Sequence, residues 1–317
     1  MSLEVGGMIA AGIAALAAGF VLVWARFQAA SGADRVVVLG PVFEAAALAV
    51  FSAEHFFAAR DLAPIVPRWL PGPLFWTYFV GAAWLAAAIS FISWRQVRWS
   101  ATLTALMFLI IVITLDLPNV PKNLHERLFW TLTMRETAFA GGAMVLAGSA
   151  WLARGISAGE VLIRVGRFIV AATMIFYAIE HFLFPRNVPG VPLEKLTPDW
   201  MPAPAVIAYL VGISLLVAGI GLFLPRTVRI AAAGAGVVLV VLTAIFYVPI
   251  LVTEFHSNLA VEGLNYIFDT LLWAATVLLA GFGADLVTLS RGTSPIGRRD
   301  ADPSEKSAPS LRTGAMP

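Results

Sequence analysis

Glu44, Glu54, His55, Asp116, Arg135, Glu136, Glu180, His181 and Asp269 are ionisable side chains within or at the edges of long apolar runs. Charge inside hydrocarbon is costly, so each such residue marks either a site or a bond between helices. Two of the pairs, Glu54-His55 and Glu180-His181, set a carboxylate beside an imidazole. Two more, Glu136-Thr137 and Asp269-Thr270, set an acid beside a hydroxyl. Together these groups can line a polar chamber that handles a ligand, protons or a metal. They can equally serve as polar clasps between helices, because lipid offers a buried polar group no partner. Glu262, Asn265 and Asp269 follow i, i+3, i+7 and share a helix face. Arg135 is the one Lys or Arg deep inside a run, Arg164 and Arg167 standing at the start of theirs, and it must meet a carboxylate. Glu136 is its neighbour in sequence, and adjacent side chains diverge on a helix. Asp116 is therefore the expected partner, with Asp269 second.

A metal or haem site needs more than this. If a pseudo-twofold brought His55 and His181 together, they would form a paired haem ligand set, or with Glu54 and Glu180 a mixed metal site. The spacing argues against it: the chain has no Glu-x-x-His, no His-x-x-x-His and no CxxCH, so no metal is assigned. With no cysteine at all, disulfides, cysteine nucleophiles and iron–sulfur ligation are excluded. There is no glycine-rich phosphate loop, and no basic patch interleaved with aromatics that would fit nucleic acid.

The elements that position these residues are written twice. Glu54-His55-Phe56 is followed by Pro67-Arg68-Trp69-Leu70-Pro71-Gly72-Pro73, and Glu180-His181-Phe182 by Pro198-Asp199-Trp200-Met201-Pro202-Ala203-Pro204. At one offset, Tyr78, Gly81, Val97-Arg98 and Pro118 match Tyr209, Gly212, Val228-Arg229 and Pro249. A repeat of about 125 residues follows. The chain is 60% hydrophobic and 13% charged, which suits a bilayer rather than water. Nine runs are long enough, or nearly so, to span it: roughly 8–25, 36–58, 73–93, 100–117, 129–153, 163–184, 204–224, 230–251 and 264–286. The expected fold is an all-α integral membrane protein with about nine transmembrane helices. It comprises an N-terminal helix and inner loop (1–35), two tandem parallel four-helix-bundle repeats (36–153 and 154–286), and a disordered cytoplasmic tail (287–317). The first run lacks a basic leader and a cleavage site, and reads as a retained helix or an uncleaved signal. The glycines Gly12, Gly19, Gly141, Gly142, Gly148 and Gly281 read as close-packing positions.

Orientation follows from Lys and Arg. With the N-terminus outside, cytoplasmic segments carry 14 of the 21 basic residues and outer loops carry six. All four histidines, and every buried charge except Glu44, then fall toward the outer side. The proline-rich turns place Trp69 and Trp200 at headgroup depth, as interfacial anchors or as lids over an outward pocket. Pro73 and Pro204 fall in the first turn of the next helix, where a missing N–H costs nothing.

These motifs resemble the DoxX-like membrane proteins. The resemblance lies in Glu54-His55-Phe56, in Val66-Pro67-Arg68-Trp69-Leu70-Pro71 and in Trp76-Thr77-Tyr78-Phe79-Val80-Gly81. The second copy departs from it with Thr197 for the valine and Met201 for the leucine. It covers 38–286 as two fused units, with an outward-facing polar pocket expected between them. It implies a bacterial-type inner-membrane protein, a quinone-linked or redox-associated subunit with a membrane or periplasmic redox partner. In that role His55 and His181 would bond a quinone carbonyl, Glu54 and Glu180 would accept protons, and Glu136 and Asp269 would lie deeper in a relay. Related cysteine-dependent thiol chemistry is closed to a chain without cysteine. A small-solute or proton-coupled transporter and a non-catalytic membrane scaffold are the alternative readings, and the sequence alone does not decide whether the protein is an enzyme.

Overall fold

The computed structural model describes residues 3–190, 195–257 and 259–283. The tail expected over 287–317 and the end of the last apolar run lie outside the described residues. Nine long helices occur among the described residues: α1 (Leu3–Ala29), α2 (Gly40–Phe57), α3 (Pro73–Ser93), α4 (Val97–Ile111), α5 (Arg127–Leu152), α6 (Ala158–Leu183), α7 (Pro204–Phe223), α8 (Val228–Leu242) and α9 (Ala260–Leu279). Each apolar run thus corresponds to one long helix, and the fourth and eighth continue beyond it into irregular turns.

Prolines set several of the boundaries. Pro73 and Pro204 start α3 and α7, each preceded by a left-handed residue, Gly72 (φ 71°) and Ala203 (φ 47°). Further on, α4 and α8 each widen into a π turn, Val112–Asp116 and Thr243–Tyr247. The cause is Pro118 and Pro249. A proline has no N–H to give and its ring crowds the carbonyl four residues back, here Thr114 and Ile245, so the turn opens. Leu117 N–H reaches back to Val112 O at 2.8 Å, the spacing of a π turn. After the second π turn the helix resumes over Val248–Glu254.

The helices pack in sequence: α2 on α3, α3 on α4, α4 on α5, α5 on α6, α6 on α7, α7 on α8 and α8 on α9. Helix α9 then returns to α2, closing a ring, and α5 meets α9 across its middle. Helix α1 lies outside this ring against α2. Small residues permit the close crossings. A Cβ on Gly148 would lie 2.5 Å from Gly159 O, and one on Gly141 would lie 2.9 Å from Gly166 O, so α5 and α6 touch backbone to backbone. Gly142 meets Thr276 on α9, Gly12 and Gly19 meet Val50 and Val42 on α2, and Gly281 lies against Val37. The close-packing reading of these glycines is the observed one.

Among the described residues seven helical segments are long and apolar enough to cross a membrane, which makes this a polytopic membrane protein. Helices α5 and α9 do not reach that hydropathy. They carry Arg135, Glu136 and Asp269, and they are the pair that meets inside the ring, where their polar groups face protein instead of lipid.

Candidate functional site

A cavity of about 750 Å³ opens at the end of the first half, under the 59–72 loop and among α2, α3, α4 and α5. Its walls are apolar and aromatic, with Trp69, Trp76, Trp84, Phe108 and Phe139 among them. Its polar lining is Glu54 and His55 from α2, Asp116 from the first π turn, Arg135 and Glu136 from α5, and Asn265 and Asp269 from α9. Six of the eight expected pocket residues therefore meet here. Trp69, the first expected lid residue, lines the cavity and is 69% exposed. The pocket lies within the first half, with α9 contributing one wall, and not midway between equivalent halves as expected. Glu44 is apart, buried in α2 with Oε2 unbonded.

Arg135 corrects one expectation. Its Nη1 donates to Asp269 Oδ2 at 2.7 Å, while Nε and Nη2 both donate to Glu136 Oε1, at 3.2 and 2.9 Å. Asp116 is not its bonded partner, and Asp116 Oδ2 is buried without a hydrogen bond. The neighbouring glutamate is within reach because both side chains are long enough for their ends to meet. Helix α5 meets both α9 and the π turn that carries Asp116, and the guanidinium is turned to the α9 side.

The two Glu-His pairs have different fates. Glu54 accepts from Asn265 Nδ2 at 2.9 Å, and Glu180 pairs with Arg127 at 3.0 Å, so both carboxylates clasp neighbouring helices. Both histidines bond one turn back through Nδ1, His55 to Phe51 O at 2.7 Å and His181 to Tyr177 O at 2.5 Å. A carbonyl only accepts, so Nδ1 carries the proton in each and Nε2 of the neutral ring is an acceptor. In the second half that acceptor is taken: Gly190 N–H donates to His181 Nε2 at 2.8 Å. Tyr247 Oη donates to Pro189 O at 2.6 Å. Val188, Pro189 and Gly190 are buried there, with Gly190 near Leu239, Leu242 and Thr270. The second half thus fills with its own loop the space that stays open in the first. His181 and Glu180 do not line the cavity, and Trp200 packs instead on Phe246, 6.0 Å between ring centres. With both its ring nitrogens engaged, His181 does not form the paired haem set with His55. Among the described residues no group of three or more His, Cys, Asp or Glu is placed to hold a metal ion.

Sequence reasoning named Asn265 by its helix face but missed that it closes the cavity with Glu54. It also missed the filling loop. The signal was present: His55 to Pro67 spans 12 residues and His181 to Pro198 spans 17, so the second loop is longer. A second cavity of about 470 Å³, bounded by Asp34, Trp94, Arg229 and Phe282, lies at the opposite end of the helices, with Arg229 bonded to Asp34 at 3.0 Å.

A family model described as "Domain of unknown function (DUF8561)" matches residues 44–129, from α2 through the start of α5. That segment carries Glu54, His55, Trp69 and Asp116 but not Arg135, Asn265 or Asp269. No curated protein and no solved structure matches the chain.

Proposed function

We propose that this membrane protein binds a lipid-soluble amphiphile in the cavity of its first half. One observation carries the reading: a drug-sized cavity with aromatic walls and a polar end, within the usual range of small-molecule sites. Phe79 on α3 and Ile110 on α4 line it and are about half exposed on the apolar flank, which favours access from the bilayer. The DoxX-like resemblance makes a quinone or quinol, in a redox-associated inner-membrane subunit, the first ligand to try. The hydrogen bonding favours the quinol of the two, since neutral His55 has no proton on Nε2 to give a quinone carbonyl.

The same reading takes α2–α5 and α6–α9 as two parallel copies of one unit, with nine spans, the N-terminus outside and the C-terminus cytoplasmic. Paired local features support it. The histidine bonds recur, the π turns recur at the shared offset, and Gly81 and Gly212 each lie against the histidine of their own half. Transport is the second reading, supported by the acids at the cavity's polar end, and proton-coupled uptake that is lost in an Asp269→Asn variant that still folds would favour it.

Binding is tested with the full chain in nanodiscs. A short-chain quinol should bind one to one, and Trp69→Ala, at an exposed position that does not hold the fold, should weaken it about tenfold. Failure of quinol, alkyl amine and alkyl alcohol alike to bind would overturn the reading.

A further inference from the structure

We infer that the ligand of this cavity carries a protonated amine head, held between His55 and Asp116. The inference rests on the reading that the cavity binds an amphiphile, and it names the class. The chain supplies its own comparison. In the second half, one peptide group, that of Pro189 and Gly190, bridges two side chains: its N–H donates to His181 Nε2 and its carbonyl accepts from Tyr247 Oη. The first half has the same histidine with the same Nδ1 bond, at His55. At the last position of its π turn, where the second half has Tyr247, it has Asp116. A donor has become an acceptor. A group that fits the first half must therefore donate at both ends, to His55 Nε2 and to Asp116.

The other polar atoms agree. Asp116 Oδ2 and Asn265 Oδ1 are buried acceptors without partners. Arg135, the one Lys or Arg among the described residues that line the cavity, directs Nε, Nη1 and Nη2 at Glu136 and Asp269. Thr77 and Thr114 give their hydroxyl protons to the carbonyls of Pro73 and Ile110. Four carboxyl groups, Glu54, Asp116, Glu136 and Asp269, face one arginine. A carboxylate ligand would add to that excess. A quinone offers only acceptors, a single hydroxyl donates once, and a quinol donates from two hydroxyls but brings no positive charge. An ammonium donates up to three times and supplies positive charge, and its bonds to carboxylate are the stronger, charge-assisted kind. Trp69 and Trp76 near the mouth add aromatic faces suited to a cation on an apolar body.

The test uses the full chain in nanodiscs at neutral pH, titrated with octylamine, 1-octanol, octanoate and a short-chain quinol, with empty nanodiscs as the partition control. Octylamine should bind at least about tenfold more tightly than 1-octanol, and octanoate should bind most weakly. Asp116→Asn, nearly isosteric, should cost octylamine about tenfold and cost 1-octanol, which brings no charge to the carboxylate, clearly less. If that variant does not fold, the wild-type ligand series decides alone. Equal binding of octylamine and octanol, or tighter octanoate, overturns the amine. Binding of the quinol without the amine also overturns it and leaves the amphiphile reading standing. Binding of none overturns both.

Discussion

Arg135 shows how far a single buried charge can be reasoned about. Hydrocarbon forbids leaving it alone, and that much follows from residue type and position. Which acid answers it depends on which helices face each other, and that is a property of the ring. Asp269 lies 134 residues away in sequence and 2.7 Å away in space. Arg135→Leu would leave Glu136 and Asp269 buried beside each other without their cation. Removing one partner of a buried ion pair costs about 3–5 kcal/mol, so this variant should melt well below the wild type in detergent. Arg135→Leu with Asp269→Asn should recover part of that loss, while Arg135→Leu with Asp116→Asn should recover none. Equal recovery in both double variants would show that the pairing is not what holds α5 to α9. His55 and His181 teach the same lesson. Their sequence contexts and Nδ1 bonds match, so the shared role at the helix end was legible. Their different fates were not, because Nε2 is answered by a loop whose path the residues beside the histidine do not determine.

At the scale of elements, that loop makes the difference between the halves. Gly190 sits at φ +108°, a conformation that side chains with a Cβ rarely adopt, and this places its N–H on His181. Gly190→Ala should therefore strain the filled half, with a loss of about 1–3 kcal/mol read as a lower melting temperature. His181→Phe should remove the acceptor, and adding Gly190→Ala to it should cost less than Gly190→Ala costs alone, since the two act through one contact. Strict additivity would separate the glycine from the histidine. The recurrence of Pro118 and Pro249 marked the repeat in the sequence. The π turns they produce were not foreseen, although the proline's clash with the carbonyl four residues back is their physical cause. Those turns matter to the site, because the first ends on Asp116 and the second on Tyr247.

At the scale of the whole molecule, the open question is whether α5 and α9 cross the bilayer as the other seven do. Their composition falls short of a spanning helix, yet their polar residues point at each other inside the ring. A helix shielded by neighbours on both sides does not have to look apolar to cross. We therefore expect nine crossings, with the 14-to-6 excess of Lys and Arg on the cytoplasmic side. The absence of cysteine gives a clean background for single introduced thiols at exposed loop positions. With nine crossings, Ser31→Cys, Ser157→Cys and Arg226→Cys should label only from the cytoplasmic face, and Arg60→Cys and Arg186→Cys only from outside. If α5 and α9 stay on one side, the chain reverses after α4. Ser157→Cys and Arg226→Cys then label with Arg60→Cys, and Arg186→Cys labels with Ser31→Cys. The C-terminus falls on the cytoplasmic side in both cases, so a reporter fused there cannot separate them. The Ser157 and Arg226 loops can, and labelling of either from outside would sink the nine-span arrangement.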